Sequence, residues 1–183
     1  MRKVAVIVGS IRKDSINKKL AGAIEKVGAE KLAFERIRID DLPLFNQDRE
    51  SDPIPEVLRV REQIAAADGV LFVTPEHNRS IPAAMKNVID WATRPFGQSK
   101  FKGKVCAITG ASRGSIRTAV AQSHLRTILI GHVAALQGRP EAFVQFKDGL
   151  IDDDGNVTEE STRKILQSFV GEFAKLVEAM AGK

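Results

Sequence analysis

The chain has 183 residues, of which 43% are hydrophobic and 28% charged, and a net charge of +5. That is enough length for one domain with a substantial core. No apolar segment approaches the roughly 18 residues that cross a bilayer, and no export signal stands at the N-terminus. The single cysteine, Cys106, excludes an internal disulfide framework and suits a reducing cytoplasm. Basic residues are scattered, and the aromatics are nine Phe, one Trp and no Tyr. This argues against a nucleic-acid surface and for attraction of small anions, phosphates and oxyanions among them.

The first element is Val4-Ala5-Val6-Ile7-Val8, short, apolar and rich in β-branched residues, which predicts a buried strand of a parallel sheet. The chemistry then changes within one residue. Gly9, Ser10, Arg12, Lys13, Ser15 and Asn17 are small, hydroxylated, cationic or amide-bearing, and a helical pattern with Ile16, Leu20, Ile24 and Val27 follows. A strand passing through such a loop into a helix N-terminus is a phosphate site, because free N–H groups and the helix dipole both face the anion. The competing reading is an ordinary turn capped by Asp14 or Ser15, with Arg12 merely solvated. Gly9 lacks the further glycines of G-x-G-x-x-G, and there is no G-x-x-x-x-G-K-[ST]. A dinucleotide fold of the usual kind and a P-loop are therefore excluded here. A phosphate monoester such as flavin mononucleotide (FMN) remains.

Next, Leu32 to Asp40 alternates Ile37 and Ile39 with Arg36 and Arg38, a half-exposed strand near an edge. Asp41 to Pro55 carries three prolines and predicts a long loop with Leu44 and Phe45 tucked inward. Pro55 to Ala67 is a helix, and Gly69 to Val73 a buried strand. A second polar loop, Thr74 to Ser80, leads to a helix over Ile81 to Thr93. Lys104 to Thr109 is a fourth strand, which buries Cys106. It is followed by a third polar loop from Gly110, a long helix to about Ile130, and a short fifth strand at Val133 to Leu136. Phe143 to Val157 reads as an excursion with a turn at Asp154-Gly155-Asn156, before a last amphipathic helix from near Thr158.

Alternation of strands and helices, without repeats or a linker, predicts one α/β domain over 1–183, a doubly wound five-stranded parallel sheet with helices on both faces. Ligands of such sheets sit outside the carboxyl ends of the strands. All three polar loops lie at that end.

Two motifs in register then become specific. Gly9, Ser10, Arg12, Ser15 and Asn17 are followed by Pro75, Glu76, Asn78, Ser80, Pro82, Lys86, Asn87, Ile89, Asp90 and Trp91. The pattern resembles the NADPH-dependent FMN reductase family, the flavodoxin-like quinone and chromate reductases, from Val4 to about Leu129. The resemblance implies that Ser10, Arg12, Ser15, Ile16 and Asn17 hold the FMN phosphate. It implies that Pro75, Glu76, His77, Asn78, Arg79 and Ser80 contact the ribityl chain and ring, and that Ser112, Arg113 and Gly114 lie at the pyrimidine edge. His77 departs from the family, which usually has Tyr there; an imidazole is protonatable where a phenol is not at neutral pH.

The same resemblance implies FMN as cofactor with NADPH or NADH as co-substrate. Electrons would pass to quinones, chromate or other small acceptors by ping-pong hydride transfer, the chemistry being carried by the flavin with no catalytic side chain. It further implies a cytoplasmic homodimer or homotetramer, with the helix of Ser115 to Ile130 as a plausible interface, and neither membrane nor nucleic-acid partners. The alternatives are a flavodoxin-type electron carrier, against which Arg12 and the +5 charge count, and an azo- or nitro-compound reductase.

Three other patterns carry no site. Thr109-Gly110-Ala111-Ser112-Arg113-Gly114 mimics the cofactor turn of short-chain dehydrogenases, but follows the fourth strand in a chain without the tyrosine acid. Asp152-Asp153-Asp154-Gly155-Asn156 lacks the end carboxylates of a calcium loop when Gly155 is set at position 6. His124 and His132 are isolated, and packing or surface roles fit them better than metal ligation.

Overall fold

The computed structural model describes residues 1–181. The sheet runs β2-β1-β3-β4-β5, with β1 at Arg2–Val8, β2 at Leu32–Arg36, β3 at Gly69–Val73, β4 at Val105–Ser112 and β5 at Ala135–Leu136. All of these pairings are parallel, and the order is that of flavodoxin-like sheets. A sixth strand, β6 at Ala142–Gln145, also pairs with β4 in parallel. It takes the outer half of β4 (Thr109–Ser112) while β5 takes the inner half (Val105 and Cys106). The fifth position of the sheet is thus one interrupted strand.

β6 lies inside the stretch read from sequence as an excursion. Its four residues alternate buried and half-buried, too short a period-2 run to stand out from its flanks. Conversely, β2 ends at Arg36, before Ile37 and Ile39, which are buried although they lie outside the strand.

Four α-helices connect the strands, α1 at Ile16–Gly28, α2 at Pro55–Ala66, α3 at Ala83–Thr93 and α4 at Ala119–Leu129, and α5 at Glu160–Met180 follows the last strand. Successive strand side chains point to opposite faces. In β1, Val4, Val6 and Val8 join one core with Leu20, Ala21 and Ile24 of α1 and Phe169, Phe173 and Val177 of α5. Ala5 and Ile7 join the other, with Val60 and Ile64 of α2, Met85 and Val88 of α3, and Leu125 and Leu129 of α4. Burial on both faces is why the central strands read as continuous apolar runs. Cys106 is wholly buried in the second core, and loss of solvent pushes its thiol far above the usual range. A thiolate is unavailable there.

A third, smaller cluster explains half of the second motif. Trp91 sits with Ile54, Val57 and Phe45, and its ring N–H donates to the Pro43 carbonyl at 2.8 Å. Asn87 donates to the same carbonyl at 2.9 Å and accepts the Phe45 N–H at 2.8 Å. Lys86 and Asp90 form an exposed pair one turn apart at 2.6 Å. The Lys-Asn-x-Ile-Asp-Trp part of the motif therefore clamps the proline-rich loop onto α3.

Candidate functional site

Register places the three polar loops on one rim. Val8, Val73 and Thr109 end aligned stretches of β1, β3 and β4, and the Gly9 N–H still bonds to the Val73 carbonyl at 2.9 Å. β4 runs three residues further, so the third loop stands proud of the other two. Gly110 permits this overrun: a Cβ there would land on the Thr74 carbonyl oxygen and lie 2.7 Å from the Thr118 hydroxyl. The second and third loops are in backbone contact, and only a residue without a side chain fits between them.

In the first loop, Ser15 is the N-cap of α1, its Oγ accepting the N–H groups of Asn17 at 3.2 Å and Lys18 at 3.3 Å. Among the described residues no protein acceptor receives the backbone N–H groups of Ile11 to Ser15, and neither Arg12 nor Lys13 has an ion-pair partner. Five N–H groups, two cations and a helix N-terminus thus face outward together, the arrangement that takes a phosphate dianion.

Asn17 behaves differently. It is buried, its amide donates to the Ala111 carbonyl at 2.9 Å and its carbonyl accepts the Ala111 N–H at 2.9 Å. This side chain bolts the first loop to β4 as a third strand would. Asn17→Ala is expected to lower stability by about 2–3 kcal/mol, since two buried backbone groups lose their partners. The urea midpoint of the apoprotein measures it, and an unchanged midpoint would refute the bolt.

The second loop makes a two-residue hairpin. His77 and Ser80 exchange both backbone hydrogen bonds at 2.9 Å, and the central residues Asn78 and Arg79 have φ of 49° and 63°, the left-handed pair that a type I′ turn requires. Glu76 anchors it. One carboxylate oxygen accepts the N–H groups of Val120 and Ala121 at 3.1 Å each, capping α4, and the other meets Arg79 at 3.4 Å. The Glu76 side chain is only 9% exposed. At the far end of the turn Ser80 Oγ lies 3.1 Å from His124 Nδ1, one turn further along α4.

The third loop is closed by its own bonds. Arg117 N–H donates to the Gly114 carbonyl at 3.0 Å, and Ser112 Oγ–H to the Arg117 carbonyl at 2.6 Å. Arg113 pairs with Asp148 at 2.6 Å, which holds that carboxyl below its usual range. A cleft of about 220 Å³ separates the second and third loops, lined by Glu76, Arg79, Ser112, Gly114, Ile116 and Arg117. Of the two arginines around the third loop, Arg117 lines this cleft beside Arg79 of the second loop, and Arg113 does not. Sequence reading put Arg117 inside a helix starting at Ser115, but α4 starts at Ala119, and Arg117 sits at φ 60° in the turn before it. The Gly114-Ser115 pair was the available signal for a longer turn.

A second cleft, of about 330 Å³, opens between the first loop and the end of β2, over Val8, Ile11, Ile37 and Ile39 with Arg36 and Arg38 at its margin. Among the described residues there is no cluster of His, Cys, Asp or Glu able to hold a metal ion, and no helix is long and apolar enough to cross a membrane.

Comparison with known proteins agrees with this fold. The model of the family described as NADPH-dependent FMN reductase matches residues 2–148. The chain is 48% identical over 176 residues to a 2-hydroxy-1,4-benzoquinone reductase of Burkholderia sp., covering 96% of each chain. It is 43% identical to a quinone reductase of Pseudomonas putida, covering 96% of this chain and 94% of that one. Among solved structures, the flavoenzyme NAD(P)H:(acceptor) oxidoreductase FerB of Paracoccus denitrificans superposes with a TM-score of 0.94 at 43% identity, covering 98% and 99% of the two chains. The parallel sheet, the donor-rich first loop and the match over most of the length lead to one assignment: this chain belongs to the NADPH-dependent FMN reductase family.

Proposed function

We propose that the protein is an FMN-dependent NAD(P)H:quinone oxidoreductase, built as a single flavodoxin-like unit. The observation that carries this is the first loop: partnerless N–H groups from Ile11 to Ser15 beside unpaired Arg12 and Lys13, at the N-terminus of α1. That donor set suits a phosphate monoester. Ser10, Arg12, Ser15 and Ile16 hold the FMN phosphate, while Asn17 fixes the loop that presents it. Pro75 to Ser80 would contact the ribityl chain and ring, and Ser112 and Gly114, which line the cleft facing that loop, the pyrimidine edge. Arg117, across the cleft from Glu76, supplies positive charge where a reduced ring accumulates negative charge. Bound FMN supplies the hydride chemistry, and the protein supplies position and charge.

Quinones as acceptors follow from the named activities of the relatives at 43–48% identity. The basic surface would also draw chromate and similar oxyanions. A cytoplasmic homodimer or homotetramer fits NAD(P)H supply and the buried, unoxidised Cys106. The test is an absorbance spectrum of the purified protein followed by anaerobic NADPH. Bands near the flavin's ~370 and ~450 nm that bleach within seconds are expected of a flavin that accepts hydride directly. Bleaching only after a separate reductase is added would replace this reading with an electron carrier, and no flavin after incubation with FMN would remove it. Replacing quinone by azo and nitro compounds then ranks the acceptors.

A further inference from the structure

Two of the chain's three histidines flank one serine on the rim, His124 through its ring and His77 through the backbone pairing of the turn. Directly opposed residues of an antiparallel pair project to the same face, so the His77 side chain leaves the turn on the same face as Ser80, within a rotamer change of its hydroxyl. On the other side, His124 Nδ1 lies 3.1 Å from that hydroxyl. Both imidazoles are solvent-exposed, and Ser80 can donate to one neighbour while accepting from another. The arrangement is held rigidly. The turn is fixed by its paired backbone bonds, and Glu76 ties the same loop to the first N–H groups of the helix that carries His124.

Reduction of a quinone to a hydroquinone consumes one hydride and one proton. The hydride brings both electrons from the NADPH-reduced cofactor. The proton must come from elsewhere, and unprotonated hydroquinone would leave as an anion. We propose that His77 is the proton donor in quinone reduction, with Ser80 and His124 as the relay that positions and recharges it; this rests on the second loop lying against the flavin. One quinone oxygen takes the hydride with its electron pair, an O–H bond forming as the bond that held the hydride on the reduced cofactor breaks. The remaining quinone oxygen then takes the proton as the His77 N–H bond breaks, and a solvent proton returns to His77 through His124 and the Ser80 hydroxyl. Atoms and charge balance with no further reactant. An imidazole suits the task because its two ring nitrogens can release one proton and take up another.

The charged groups around the cluster are accounted for. In the turn, Glu76 and Arg79 pair with each other. On α3, which leaves the turn, Lys86 and Asp90 pair with each other. On α4 and the turn before it, Arg117 donates to the Phe143 carbonyl and Arg126 pairs with Glu141. None of these groups bonds to either imidazole.

The test compares two acceptors in the oxidative half-reaction of FMN-loaded, NADPH-reduced protein: a benzoquinone, which takes up a proton, and ferricyanide, which takes an electron only. His77→Phe is expected to lower the quinone-to-ferricyanide rate ratio about 100-fold. His124→Gln should lower it several-fold and change the pH profile of the quinone rate. Equal slowing with both acceptors, or an unchanged ratio, overturns the relay. Flavin retention and NADPH bleaching, recorded first for each variant, separate that failure from failure of the flavoenzyme reading itself. A readout without flavin checks the geometry: proton NMR of the apoprotein should show a cross-peak between the His77 and His124 rings, and Ser80→Ala should move the His124 Nδ1 resonance. Absence of both removes the structural basis.

Discussion

Replacing Arg12 and Ser15 together by alanine is expected to weaken FMN binding by about 2–4 kcal/mol, roughly 30- to 1,000-fold in Kd. The two side chains contribute differently. Arg12 is exposed and has no carboxylate partner among the described residues, so its guanidinium is available for bidentate bonds to phosphate and its loss leaves the fold untouched. Ser15 is buried and caps α1, so its removal also costs about 1 kcal/mol of stability. Fluorescence titration with FMN measures the double variant, and Arg12→Ala alone, with an unchanged urea midpoint, isolates the phosphate contribution. The loss should shrink as salt is raised, because an exposed charge is screened over about 10 Å at 0.1 M. Flavin that stays bound to the double variant through desalting would mean that the first loop is not the phosphate cradle.

The second large effect is structural and falls on Gly110. Gly110→Ala is expected to destabilise the protein by about 3 kcal/mol, and to weaken flavin binding in whatever remains folded. The added methyl meets the Thr74 backbone carbonyl and the buried Thr118 hydroxyl, neither of which can rotate away as a long side chain would. Relief requires β4 to separate from the loop after β3, and that is the junction on which Glu76 and α4 depend. Gly114→Ala is the matched control, because the nearest atom to a Cβ there is 3.8 Å away. Thermal denaturation of the two apoproteins decides the matter; equal melting temperatures would show that the loops accommodate the methyl.

The elements legible in the sequence were those whose signal is local. β1, β3 and the first part of β4 stood out because burial on both faces makes an uninterrupted apolar run. α1, α2 and α5 stood out by 3.6-residue periodicity and by Ser15, Pro55 and the acidic first turn at Glu160. Elements that depend on a distant partner did not. β6 is four residues that become a strand by pairing with the far half of β4. Asn17 looks like a phosphate donor until Ala111, 94 positions away, takes both ends of its amide. Arg113 and Arg117 are interchangeable in a sequence, yet Asp148 takes one and the turn at φ 60° delivers the other to the cleft.

By itself, then, the sequence determined the class of sheet, the rim on which its three polar loops gather, and the donor-rich, cationic character of the first, because periodicity, burial and residue type are properties of short stretches. Tertiary structure alone decided which polar side chains are spent on the protein and which are left free at the rim. A hydrogen bond saturates its partners, and partners 44 positions apart (Glu76 with Val120, His124 with Ser80) are chosen by the packing of α4 against the sheet.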